Sequence, residues 1–142
     1  MRTLTQLLAG KPAPVTVGPE DRVYEALSRL ARHDIGALLV VDKGKVVGIF
    51  SERDYARKVV LRGKASKDIS VKDIMSDKVC YVTPAQTVED CMALMTDRHI
   101  RHLPVLGPDQ EVLGIVSNGD LVKETISEQK FIIEQMEHYI TH

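Results

Sequence analysis

The chain has 142 residues, 44% hydrophobic, 27% charged and 4% aromatic, with 19 Lys+Arg against 20 Asp+Glu and a formal net charge of -1, the composition of one ordinary globular domain. That balance excludes the basic surplus demanded by a nucleic-acid backbone, and no apolar run approaches the roughly 18 residues of a membrane span. Met1 to Lys11 offers Leu4, Leu7 and Leu8 but no apolar core of secretory-signal length, so a cytoplasmic protein without nucleic-acid or membrane partners is expected, with Cys80 and Cys91 as buried thiols of a reducing compartment.

Val15 to Val17 is a short extended run closed by Gly18-Pro19, since proline disfavours the helical region for its predecessor. Val23, Ala26, Leu27 and Leu30 then recur at helical spacing, giving a one-faced helix that fades near His33. Ala37 to Val41 is an apolar run too short for a helix and rich in Val and Leu, which predicts a strand buried on both faces. Asp42-Lys43-Gly44-Lys45 supplies turn chemistry, Val46 to Phe50 returns as the second strand of a hairpin, and a helix follows from about Glu52 to Leu61. Arg62 to Asp68 is polar, and Val71-Lys72-Asp73-Ile74-Met75 leads into the same signals again. These are Cys80 to Val82, a helix from Val88 to about Arg98, Leu103 to Leu106, the turn Gly107-Pro108-Asp109-Gln110, Val112 to Val116, and a helix from about Asn118.

The two series are copies. A shift of 65 places superposes Val17 on Val82, Pro19 on Pro84, Val23 on Val88, Ile35 on Ile100, Leu38 on Leu103 and Val40 on Val105. One extra residue in the second turn makes the shift 66, which superposes Gly48 on Gly114, Ile49 on Ile115, Ser51 on Ser117 and Asp54 on Asp120. The predicted organisation is α/β: a βαββα unit over 1–62, a linker over 63–70, a second unit over 71–124 and a helical extension over 125–142. A unit of this size alone buries only about 60% of its chain surface and is marginal, so the two should pack as one body about a pseudo-two-fold axis.

Both copies end a buried strand in Ser-x-x-Asp at a helix start, Ser51-Glu52-Arg53-Asp54 and Ser117-Asn118-Gly119-Asp120. The spacing fits a capping box, in which the Ser hydroxyl and the acid satisfy the first N–H groups of the helix. The cap is the commoner meaning of that spacing, but the same geometry serves a ligand site, where a helix start favours phosphate and the Asp accepts from two ribose hydroxyls. Thr87-Val88-Glu89-Asp90 has the same spacing without a strand-end glycine and is read as a cap only. Pro104 within Ile100-Arg101-His102-Leu103-Pro104-Val105 implies an edge position or a bulge. Arg101 could meet phosphate there in fork geometry, or could simply be solvated at a strand entrance.

The paired pattern, I-G-A-L-L-V-V with V-V-G-I-F-S-E-R-D and I-R-H-L-P-V-L with V-L-G-I-V-S-N-G-D, resembles two tandem CBS (cystathionine beta-synthase) domains forming a Bateman module. With no catalytic region beside the pair, it resembles the stand-alone bacterial proteins of that kind. The resemblance implies a non-catalytic regulatory sensor that binds AMP, ADP, ATP, NAD(H) or S-adenosylmethionine in clefts between the motifs, and that dimerises through the module's helices. Carried over to this chain, it implies that Ser51 and Asp54 hold ribose and phosphate at one site, with adenine against Val15 and the Ile35-Gly36-Ala37 backbone. Ser117 and Asp120 would do the same at the other site, with Cys80 and Ile100-Arg101-His102.

Gly36-Ala37 answers Arg101-His102, Leu39 answers Pro104 and Arg53 answers Gly119, so the two clefts should be unequal, with Arg53 or Arg101 reaching phosphate in the tighter one. The near-neutral total charge leaves phosphate recognition to Arg53, Arg101 and two helix starts. It also argues against bulk electrostatics holding the more highly charged ATP; the sequence does not rank the ligands the resemblance implies, among which AMP is placed first and NAD(H) second. His99-x-x-His102 and His138-x-x-x-His142 lack a third metal ligand and read as surface histidines. Arg53, Arg57 and Lys58, with Arg62 and Lys64 beyond, read most simply as a solvated basic face, or as one whose first turn meets ligand phosphate. Val122, Ile126, Gln129, Ile133, Met136 and Ile140 make a heptad-like seam that could pack on its own module or on a second subunit. A homodimer is therefore expected. The alternative to nucleotide sensing is a ligand-independent interaction module acting on an effector protein.

Overall fold

The computed structural model describes residues 2–141. In the first half, β1 (Thr16–Val17) runs parallel to β2 (Ala37–Asp42), which pairs antiparallel with β3 (Lys45–Ser51). In the second, β4 (His102–Leu106) and β5 (Val112–Ser117) form the matching hairpin. The helices preceding the hairpins are α2 (Val23–His33) and α4 (Val88–Arg98), with the lengths that the apolar spacing predicts. Each ends on a left-handed residue, Asp34 (φ 51°) and His99 (φ 55°), which reverses the chain toward the next strand. The hairpins carry register shifts at matching places, between Val40 and Val41 and between Val105 and Leu106. The chain therefore consists of two tandem βαββα-like units and a trailing helix.

Two elements depart from expectation. Cys80 to Val82 does not form a strand: Val82 makes a single parallel bridge to Val105, through Val82 N–H to the Pro104 carbonyl and Leu106 N–H to the Val82 carbonyl. β4 thus lies between this bridge and β5, and Pro104 is not on an open edge. Proline has no N–H to lengthen the ladder, whereas Leu39 at the matching position sits in a two-residue pairing with Thr16. The second helix of the first unit is α only over α3 (Glu52–Tyr55) and widens to a π turn over Ala56–Val60. The turn brings Val59 into the core at 1% exposure and leaves Val60 and Leu61 outside.

Packing does not follow chain order. A short helix, α1 (Leu4–Leu8), buries Leu4 among Val82, Val88, Cys91, Leu103, Val116 and Leu121 of the second half. Val71 and Ile74, expected to lead into the second unit, lie instead in the first core with Val23, Leu38 and Phe50. The stretch before them also docks backward, as Val23 and Tyr24 donate N–H bonds to the carbonyls of Ile69 and Ser66. Those bonds serve an α2 start that lacks a side-chain cap, while α4 has the Thr87/Asp90 capping box. Each half completes its core with the segment preceding the other, so neither apolar set closes on its own.

The last helix, α5 (Asn118–Thr141), is 24 residues long and continuous. Leu121 is fully buried, but the apolar residues from Phe131 to Ile140 stand exposed, so the distal helix does not pack on its own module. Among the described residues, no helix is long and apolar enough to cross a membrane.

Candidate functional site

β3 runs into α3 at Ser51. The Asp54 Oδ2 accepts from Ser51 N–H at 3.0 Å and from Ser51 Oγ at 3.1 Å, and Asp54 N–H donates back to Ser51 Oγ at 3.2 Å. The other oxygen, Oδ1, faces Lys58 Nζ at 3.3 Å and accepts from Ser76 Oγ at 3.4 Å. Glu52 N–H donates to the Gly36 carbonyl at 3.1 Å. The first helical N–H groups are therefore largely spent on the protein, and the groups this turn leaves toward the cleft are side chains. The capping-box geometry is real, and it fixes a carboxylate at the cleft lining whose second oxygen is held by Lys58 and Ser76.

The cleft has a volume of about 1020 Å³ and lies between the halves. The first half lends it Gly36, Ile49, Ser51, Arg53 and Asp54, and the second lends Cys80, Ile100, Arg101, His102 and Pro104. Arg57 and Lys58 from the π turn and Lys78 from the crossing segment complete a cationic wall, facing the acids Glu52, Asp54 and Asp77. Arg53 and Arg57 of the basic face are exposed and line the cleft, and a chain of net charge -1 concentrates positive charge here. Lys58 also donates to the Ile74 carbonyl at 3.0 Å, which ties the π turn to the crossing segment.

The cleft brings together residues of both expected sets, Gly36, Ser51 and Asp54 of the first among them. Ser51 and Asp54 share their cleft with Cys80 and Ile100-Arg101-His102, the set assigned to the other site, while Val15, Ile35 and Ala37 do not line it. Val15 and Ile35 pack against the first core and Ala37 is buried. The physical reason is the pseudo-two-fold arrangement, which turns the entrances of β2 and β4 toward each other: a Cβ on Gly36 would lie 3.7 Å from His102 Nε2.

Ser117 and Asp120 are outside this cleft but repeat the box, with Ser117 N–H to Asp120 Oδ2 at 2.8 Å and Asp120 N–H to Ser117 Oγ at 3.0 Å. The Asn118 N–H donates to the Arg101 carbonyl at 2.8 Å, as Glu52 does to Gly36. Here the cation comes from far away: Lys11 Nζ donates to Asp120 Oδ2 at 2.6 Å and to the Ile115 carbonyl at 3.0 Å. Burial alone would raise the Asp120 pKa, but the Lys11 and Ser117 hydrogen bonds and the Lys11 charge hold it below the ordinary 3.8. Neither Lys11 nor Lys78 stood out in the sequence. The signal lay in a second alignment, at a shift of 67, of Leu4, Leu7, Leu8 and Lys11 on Val71, Ile74, Met75 and Lys78.

His102 is not a surface histidine. Burial is the main cause that lowers its pKa from 6.5, Asp120 opposes the shift, and Arg101 and Lys11 add to it. The described residues hold no group of three or more His, Cys, Asp or Glu arranged for a metal, and His142 lies outside them. Cys91 is fully buried, with its thiol pushed up to about 11 by burial and by Asp90. Cys80 departs from the expected buried thiol, being partly exposed in the cleft wall.

Comparison with known proteins agrees with this architecture. The CBS domain matches residues 10–61 and 71–127. A mitochondrial CBS domain-containing protein of Arabidopsis thaliana, CBSX3, is 40% identical over 126 residues, covering 85% of this chain and 61% of its own length. This chain thus spans about three fifths of that relative. A solved structure described as a putative signal-transduction protein with CBS domains, from Burkholderia ambifaria, is 48% identical with a TM-score of 0.85, over 90% of this chain and 96% of that one. The CBS domain pair of protein MJ0100, solved with 5′-methylthioadenosine and S-adenosyl-L-methionine, is 26% identical with a TM-score of 0.80, over 90% of this chain and 98% of that one. With both units matched in order and the fold shared along nearly the whole chain, this protein belongs to the CBS-domain family, a regulatory rather than catalytic family, as a tandem pair.

Proposed function

We propose that this chain is a regulatory sensor that binds an adenosine nucleotide, AMP foremost, in the cleft between its two CBS units. The observation that carries the reading is the meeting in one open cleft of a fixed carboxylate, Asp54, with Arg53, Arg57, Lys58, Lys78 and Arg101. Asp54 suits ribose hydroxyls, which donate, and the cations suit phosphate. Adenine would lie against Cys80, Ile100 and Pro104, where apolar surface meets the backbone of a strand entrance. The relative solved with adenosine-type ligands supports the ligand class. The local positive wall shifts the emphasis within the class: ADP, ATP and NAD(H) gain from it, and the sulfonium of S-adenosylmethionine does not.

The test is a thermal-shift panel of AMP, ADP, ATP, NAD, NADH and S-adenosylmethionine, followed by calorimetry on the best binder. A ligand at 100 times its Kd stabilises by about 2.7 kcal/mol. Asp54→Asn should weaken the best binder by roughly ten- to a hundred-fold, the range for a hydrogen bond to a charged group. Silence across the panel, or an unchanged Kd in the variant, would favour the second reading, a homodimer whose work is to bind a partner protein. That reading rests on the exposed seam of α5, where Ile126, Ile133, Met136 and Ile140 stand half-exposed or more.

A further inference from the structure

The two Ser-x-x-Asp turns are alike in their own hydrogen bonds and differ in what lies over them. The first opens on the large cleft, and its lysine, Lys58, rises from the same helical segment at i+4. In the second, the position four residues after Asp120 is Glu124, which pairs with Arg2 at 2.7 Å, and Asp120 itself pairs with Lys11. The segment between these two basic residues is fastened along its length. Leu4 N–H donates to the Gln86 carbonyl, Thr5 donates to the Pro84 carbonyl through both N–H and Oγ1, and the Leu8 side chain lies on the open face of Gly114. A Cβ on that glycine would come within 2.7 Å of Leu8 Cδ2.

We propose that this N-terminal strap occupies the Ser117/Asp120 site through charge, with the Lys11 ammonium as an intramolecular occupant of an Asp120 carboxylate that is itself the more exposed of the two (32% against 13% for Asp54), so that each chain takes one nucleotide rather than two. The ammonium sits on Oδ2, the oxygen that also accepts from Ser117 N–H, and hands a further bond to the Ile115 carbonyl. A ribose hydroxyl arriving at Asp120 must displace a charge-assisted bond of 2.6 Å that is fixed at both ends. At Asp54 the lysine contact is longer, at 3.3 Å, and falls on Oδ1 beside the Ser76 hydroxyl, while the Ser51 bonds fall on Oδ2. Lys11 is thus a specificity-determining residue: it decides which of two similar turns is available.

The inference rests on the nucleotide-binding reading of the Ser-x-x-Asp turns, and a titration of sites per chain separates the two. AMP is titrated calorimetrically into the full chain, wild type and Lys11→Met, the latter keeping an unbranched side chain of similar length without the charge. One site in the wild type and two in Lys11→Met is the expected result, with faster amide exchange across residues 2–11 in the variant. A wild type that takes no AMP and a variant that takes one would uphold the strap and overturn the reading of the first cleft. Equal counts in both proteins, two sites in the wild type, or a site lost on substitution would overturn the strap; the last would make Lys11 a ligand contact. Lys11→Gln serves as a second variant should Lys11→Met lower the thermal midpoint.

Discussion

Asp54 and Asp120 sit at equivalent ends of equivalent strands, make the same bonds to Ser51 and Ser117, and have different surroundings. Asp54 is neutralised from within its own helical segment and stands in a wide cleft; Asp120 is neutralised by a residue 109 positions away on a segment that crosses over it. The difference shows what a local repeat does and does not determine. The turn, its cap and its first hydrogen bonds follow from four residues. Access follows from which segment crosses the strand above the turn and which charge it carries. Two copies of one motif therefore need not give two copies of one site.

The largest effect should come from the segment exchange itself. Leu4 is fully buried in the second core although it opens the first unit in sequence. Leu4→Ala should cost about 2–5 kcal/mol, as for a large-to-small change in a closed core, measured by chemical denaturation. Amide protection should fall first at Val88–Arg98 rather than at Val23–His33. Loss concentrated in the first half would break the exchange, and with it the account of how the strap is held.

A smaller effect separates the two crossings. A Cβ at Gly48 would meet Met75 Sδ at 2.5 Å and the Ser76 carbonyl at 3.0 Å, which is backbone held by its neighbour Ile49. At Gly114 the obstacle is the flexible end of Leu8. Gly48→Ala should destabilise by roughly 1–3 kcal/mol, the usual range for overpacking, and Gly114→Ala by clearly less, read as thermal midpoints in parallel. Equal costs would mean that the two crossings grip their strands alike, and that the asymmetry resides in Lys11 alone.

Much of the fold was legible because its signals are local. Apolar spacing places α2 and α4, and the left-handed caps and matching hairpin bulges fall at the same places in both copies. Nine of the nineteen residues that line the cleft were among the candidates named from the sequence. Their grouping was not legible, because contacts such as Gly36 with His102 depend on how the halves face each other, and a shift of 65 does not carry that information. The π turn was hidden for a different reason, since the apolar pattern from Glu52 to Leu61 suits either pitch until burial of Val59 selects one. Net charge misled in the same way: a total near zero says nothing of five cations and three acids gathered around one cleft.

The smallest effect is a titration, and it reads both sites at once because His102 lines the open cleft and also feels the Lys11–Asp120 pair. Burial holds its folded pKa below 6.5, so the neutral imidazole is the form the fold prefers. Its contribution to stability is complete above the unfolded value and is lost as pH falls from 6.5 through the folded value, with a slope of at most about 1.4 kcal/mol per pH unit for one proton. His102→Gln should flatten that acid-side slope in denaturation curves. NMR of the imidazole nitrogens should place the free-protein pKa below 6.5 and move it upward with AMP, because an anion in the cleft favours the charged ring. Lys11→Met should raise it without ligand, since a cation is removed and Asp120 is left to act on His102 unopposed by it. A pKa indifferent to Lys11 but responsive to AMP would confine His102 to the first cleft and sever the link between the sites.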